Sequence, residues 1–202
     1  MNYIYLNGQK IELSKEQVKE IEKSFKCTQK KLVDISIGET FKIGKHEFLV
    51  LEKSGDTTAV ILKDLLFENK QFGKNNNYEN SYVDDLCNDF EMEIADIIGK
   101  GNLVEHTVDL IADDGLKDYG KIKRCMSLMT CEQYRKYVYI LDEHTPEKWW
   151  WLATAYSTPT HGYKELVKCV SPSGRILNGI YVNDYYGVRP FCILKSNIFV
   201  SK

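Results

Sequence analysis

No stretch of this chain approaches the ~18 consecutive apolar residues that a membrane span requires, so no membrane association is expected. The opening Met1-Asn2-Tyr3-Ile4-Tyr5-Leu6-Asn7-Gly8 lacks a basic segment followed by an apolar one. It does not read as a secretion signal, and a cytoplasmic site of synthesis is expected. Charge of one sign is missing as well. The 27 Lys and Arg nearly balance the 29 Asp and Glu, for a formal net charge of −2, and no basic stripe stands out. The electrostatic footprint of a nucleic-acid binder is therefore absent. None of the six cysteines (Cys27, Cys87, Cys125, Cys131, Cys169, Cys192) stands in a CxxC pair, and no His or Cys cluster lies beside Cys125 and Cys131. Zinc is not expected, and in a reducing compartment these thiols should be mostly free and buried. His46, His106, His144 and His161 show no ligand spacing. The turn Asp113-Asp114-Gly115-Leu116-Lys117-Asp118 lacks the alternating carboxylates and distal Glu of a calcium loop and reads as a solvated acidic turn. No metal, no cofactor and no catalytic residue is assigned.

What remains is enough for a packed body. Of 202 residues, 43% are apolar and 12% aromatic, which excludes disorder and fits one domain at residues 39–202 behind a hairpin-and-helix appendage at 1–38. Residues 3–6 and 11–13 flank Asn7-Gly8, a hairpin turn signal. Ser14 and Gln17 form a capping box opening a charged helix over 15–26. A second hairpin spans 41–43 and 46–51, a β-branched strand follows at 58–62, and residues 69–80, with five Asn, read as a polar loop. Ser81 caps a helix in which Val83, Leu86, Cys87, Phe90, Ile94, Ile97 and Ile98 keep helical spacing. Val104, His106, Val108 and Leu110 alternate as a strand would. Thr130 and Gln133 form another capping box before Tyr134, Tyr137, Val138 and Leu141. Beyond Pro146 only strands can be drawn, at 149–152, 166–170, 175–182 and 188–194. Helices before 142 and strands after it point to an α+β fold rather than alternating βαβ.

An ordered series of motifs carries a resemblance. It comprises Asn80-Ser81-Tyr82-Val83-Asp84-Asp85-Leu86-Cys87-Asn88-Asp89-Phe90, then Leu128-Met129-Thr130-Cys131-Glu132-Gln133-Tyr134. It ends with Trp149-Trp150-Trp151-Leu152-Ala153-Thr154, Val170-Ser171-Pro172-Ser173-Gly174 and Gly187-Val188-Arg189-Pro190. Over residues 40–195 this series resembles a family of phage and prophage domains of unknown function. The C-terminal part of that family is similar to the sulfatase-modifying-factor branch of the C-type-lectin-like fold. The resemblance implies a C-type-lectin-like fold with Trp149, Trp150, Trp151, Gly187, Arg189 and Pro190 as framework. Two departures shift the expected role toward binding: no close cysteine pair stands near the C-terminus, and neither Glu-Pro-Asn nor Trp-Asn-Asp occurs. The variable proteins of diversity-generating retroelements, which share that fold, display a randomised surface before a C-terminal framework strand. Ile180-Tyr181-Val182-Asn183-Asp184-Tyr185-Tyr186 stands at the matching place.

Each candidate has a plainer reading. The Trp triplet serves as a core strand more simply than as a ligand platform. Arg189 reads as a buried cation paired with a carboxylate. The tyrosines resist such a reading, since they alternate with Ser, Thr, Asn and Gly in loops, as recognition surfaces do. The expected ligand site is Tyr156, His161, Tyr163, Ile180, Tyr181, Asn183, Asp184, Tyr185 and Tyr186. The expected function is non-enzymatic binding of a protein or cell-surface ligand by a phage- or prophage-type protein, with a virion location and a homo-oligomer left open. Two alternatives stand beside it: an intracellular phage effector that inhibits a host defence protein, and a metal- and cysteine-dependent oxidoreductase.

Overall fold

A computed structural model of the chain describes residues 2–6, 9–20 and 29–202. The Asn7-Gly8 turn, residues 21–26 of the first expected helix and Cys27 lie outside the described residues. The hairpin itself forms, with β1 (Asn2–Leu6) antiparallel to β2 (Gln9–Leu13). The following capping box also closes: the Gln17 amide donates to Ser14 Oγ at 3.1 Å, and the Ser14 amide to Gln17 Oε1 at 2.9 Å. Residues 15–20 are helical.

Residues 29–35 already belong to the body. β3 (Gln29–Lys31) pairs with a strand at the far end of the chain, and Leu32 and Ile35 are fully buried in the main core. The expected second hairpin is present as β4 (Thr40–Ile43) and β5 (His46–Ser54). Its turn carries Gly44 at φ +57, a backbone conformation that favours glycine. β6 (Thr57–Leu62) continues the meander and β7 (Phe67–Lys70) leaves it. Then come α1 (Tyr82–Ile98), β8 (Leu103–Val104), β9 (His106–Asp109), β10 (Lys121–Arg124), β11 (Met126–Ser127) and α2 (Cys131–Asp142). The C-terminal third supplies β12 (Trp150–Ala155), β13 (Leu166–Val170), β14 (Ile176–Tyr181), β15 (Tyr186–Val188), β16 (Phe191–Lys195) and β17 (Phe199–Ser201).

The expectation of an α+β, C-type-lectin-like fold is overturned. Among the described residues strands well outnumber helical residues, and they form two curled half-barrel sheets with few helices, closer to all-β. The larger sheet runs β11-β16-β6-β5-β4-β17-β3, with β8 also on β16; the smaller runs β14-β13-β12-β15-β7. Strands from the two ends of the sequence therefore interleave. The segregation of helices and strands on which the α+β expectation rested does not exist, because short polar strands such as β3 and β7 form before residue 142 without an apolar pattern of their own.

Alternation along the central strands splits their side chains between two cores. Phe48 and Val50, Val60 and Leu62, Trp151 and Ala153 face the core beneath α1. Leu49 and Leu51, Ala59 and Ile61, Trp150 and Leu152 face the core beneath α2. Both faces of these strands are covered, which is why they read as unbroken apolar runs. The Trp triplet is structural, with Trp150 and Trp151 fully buried and Trp149 half-buried.

Each helix is fixed at its start. Ser81 Oγ accepts from the Asp84 amide at 3.2 Å, and Thr130 and Gln133 close the expected capping box. Arg124 Nε and Nη2 grip the buried Asp84 carboxylate at 2.9 and 2.7 Å, pinning α1 to β10. The buried-carboxylate expectation for Arg189 fails. Its Nε donates to the carbonyl of Leu62 at 2.9 Å, and its Nη2 to those of Lys63 at 2.8 Å and His144 at 3.0 Å. Carbonyl dipoles solvate this cation while Trp150 covers its face at 5.3 Å. Burial pushes its pKa down to about 10. Among the described residues no helix is long and apolar enough to cross a membrane.

Candidate functional site

The tyrosine-rich segments meet at one end of the smaller sheet. β13 and β14 pair so that Leu166 stands opposite Tyr181, and the Val182 amide donates to the Glu165 carbonyl at 2.8 Å. This brings the 156–165 connection alongside the turn at 181–185, which the Asp184 amide closes onto the Tyr181 carbonyl at 3.0 Å. Beneath them runs the Asn-rich loop read as a polar segment. It is polar but anchored: Asn76 is fully buried, donating to the carbonyls of Ser157 at 2.9 Å and Leu166 at 3.0 Å. Tyr78, also buried, accepts from the Leu128 amide at 3.0 Å. Asn76 can be buried because its side-chain amide gives the carbonyls it meets the donors a strand partner would have supplied.

The nine expected ligand residues divide. Tyr181 and Tyr185 are 57% and 62% exposed, and Tyr163, His161, Asn183 and Asp184 are exposed too. Tyr156 is half-buried, its ring edge-on to Tyr163 at 5.4 Å. Ile180 packs against the main core. Tyr186 belongs with the framework, wedged against Trp151 at 4.8 Å and Trp149 at 5.8 Å. Gly187 suits its place, since a Cβ there would press into Leu65 Cδ1 and lie 3.0 Å from the Trp149 carbonyl. The turn therefore projects its side chains from a rigid base.

A cavity opens on each side of the turn. One of about 680 Å³ is lined by Gly73, Lys74, Glu165, Tyr181, Asn183 and Asp184. The other, of about 400 Å³, lies between Tyr185 and the start of α1, where Tyr82 is 43% exposed, with Lys70, Gln71 and Leu86 along its wall. Tyr82 was missed because its helical position gave no loop signal.

The acidic turn at 113–118 is not a free solvated turn; it clasps the tyrosine loop. Ser157 Oγ and His161 Nδ1 both meet Asp114 Oδ2, and the hydroxyls of Thr158 and Thr160 donate to Asp118. The Ser157 hydrogen bond holds the Asp114 carboxyl below its ordinary range, and the Thr158 and Thr160 hydroxyls do the same for Asp118. Asp113 takes two cations, Lys168 Nζ at 2.9 Å and Arg135 Nη2 at 3.2 Å. Burial opposes its ionisation, yet the bonds and charges of these cations leave its carboxyl below the usual value. Ser157 and His161 converge on one carboxylate oxygen rather than on each other, so the cluster lacks the nucleophile–base contact of a hydrolytic triad.

Among the described residues no group of three or more His, Cys, Asp or Glu is placed to hold a metal. Cys87, Cys125, Cys131, Cys169 and Cys192 are unpaired. Burial raises every one of these thiols, Cys131 to about 11 and Cys87 and Cys169 to about 12.

Residues 111–196, somewhat under half of the chain, match a family model described as Domain of unknown function (DUF6273). The match takes in the acidic turn, α2 and β12–β16, and so both tyrosine segments. No curated protein matches, and no solved structure does.

Proposed function

We propose that this protein is a non-enzymatic recognition module whose binding face is the turn at 181–185 with its two flanking cavities. The observation that carries the reading is the exposure of Tyr181 and Tyr185 on a turn whose neighbours are locked into the framework. Tyrosines presented this way give large contact area at low entropic cost, and Asn183, Asp184 and Glu165 add hydrogen-bonding tips. A pre-organised aromatic patch of this kind suits a protein or cell-surface ligand. The upward-shifted thiols support this reading over a cysteine-dependent oxidoreductase, which needs an accessible thiolate.

The experiment is a ligand screen with the wild-type chain against surface-displayed proteins and glycans, followed by Tyr181→Ala and Tyr185→Ala. Each substitution should weaken a detected interaction by roughly tenfold or more, about 1.4 kcal/mol or above, as aromatic anchors do. Retention of full affinity by the double variant would remove the face from the reading.

A further inference from the structure

β13 and β14 carry a constellation that the recognition face does not use. Their register shifts between the pairs Val167–Ile180 and Cys169–Leu177, so two residues, Asn178 and Gly179, stand opposite Lys168 alone. Gly179 takes φ +45, which lets this bulge form and turns the Asn178 side chain onto its neighbour strand. Lys168 is 2% exposed, an unusual place for an ammonium group. Its Nζ lies 3.1 Å from Asn178 Oδ1 and 2.9 Å from Asp113 Oδ2, with the Tyr156 ring at 5.8 Å closing a third side. The buried amine thus touches both the carboxamide oxygen of the exposed Asn178 and the Asp113 carboxylate.

We propose that Lys168 and Asn178 join in an intramolecular isopeptide bond that ties the edge strand β14 covalently to β13, with Asp113 as the catalytic proton carrier. The step begins as Asp113 Oδ2, 2.9 Å from Nζ, takes a proton from the Lys168 ammonium. The free amine attacks Asn178 Cγ and the C–N bond forms. The Cγ–Nδ2 bond then breaks, and the carboxamide nitrogen departs as ammonium with one proton released from Nζ and the one held by Asp113. The carboxylate is restored and no oxidant or cofactor is consumed. Positioning replaces activation, since both partners are already fixed in contact. Arg135 at 3.2 Å from Asp113 Oδ1 favours the ionised carboxylate and so slows the first exchange.

The test is the intact mass of the full chain under denaturing conditions after prolonged incubation, with peptide mapping. The expected product is lighter than the sequence mass by one ammonia molecule and yields a branched peptide joining residues 168 and 178. Lys168→Arg and Asn178→Ala should each retain the full mass, and Asp113→Ala should too while keeping a native circular dichroism spectrum. Arg135→Gln should raise the yield at a given time. A folded wild-type chain that keeps its full mass overturns the proposal, whatever the variants do. Loss of ammonia that persists in Lys168→Arg, and reverts in mild alkali with the gain of one mass unit, identifies a succinimide at Asn178-Gly179 and also overturns it. Cross-linking undiminished in Asp113→Ala refutes the assigned carrier.

Discussion

Acidification should unload stability in part through one buried residue, His106. Its ring is 7% exposed, set edge-on to Phe191 at 5.3 Å, with Nε2 at 3.0 Å from Ser127 Oγ. Burial, with Lys123 adding a repulsive charge, lowers its pKa from 6.5 to about 4. Because the folded value lies below the unfolded one, the unfolded chain binds the proton more readily. The stability is fully present above pH 6.5 and is lost progressively as the pH falls toward about 4. That gap corresponds to about 2–3 kcal/mol, allowing for partial solvent access to the ring, with a steepest slope of about 1.4 kcal/mol per pH unit. The assay is urea unfolding at a series of pH values between 7 and 4 for the wild type and His106→Gln, which preserves a side chain able to bond Ser127 but cannot become charged. The carboxylates held low by partners, including Glu47, Glu52 and Asp114, lose their contributions as the pH falls through their own lower values and do so in both proteins. The difference between the two profiles therefore isolates His106. Parallel profiles over the whole range would refute the assignment of burial as the cause.

Three other perturbations follow from the packing. Thr130→Ala removes one half of a capping box and should cost about 1 kcal/mol in chemical denaturation without altering the fold. Gly187→Ala places a methyl against Leu65 and the Trp149 carbonyl and should cost about 1–3 kcal/mol, read as a lowered melting temperature with a native spectrum. Arg189→Met should cost about 3–5 kcal/mol or prevent folding, because it strips one buried and two part-buried carbonyls of their donor; a variant as stable as wild type in urea would show that those carbonyls find other partners.

Local chemistry was legible in the sequence where a short motif decides the structure. Ser81, Thr130 and Gln133 mark their helix starts, and the triple Trp strand reads as core, because caps and side-chain alternation need nothing beyond neighbouring residues. The fold class was not legible. β3 has the sequence Gln29-Lys30-Lys31 and β7 is Phe67-Glu68-Asn69-Lys70; each is a strand only because β17 or β15 supplies its hydrogen bonds. The candidate face was partly legible, through tyrosines crowded in loops, but separating exposed Tyr185 from wedged Tyr186 requires knowing where Trp149 and Trp151 lie. The role of Asp113 was hidden for a similar reason, since its cations come from α2 and β13.

The placing of β16 and β17 has a consequence for how the chain reaches its final form. β16 fills the slot between β6 and the pair β8 and β11, and β17 the slot between β4 and β3. Each is a late-arriving keystone between segments that emerged much earlier during synthesis. Until they insert, the apolar edges of β6 and β4 have no partner and are open to intermolecular pairing. Closure over such long sequence separations makes for slow folding and a single cooperative transition. A nascent chain stalled before residue 191 should be the species most prone to aggregation, and the one a chaperone holds longest.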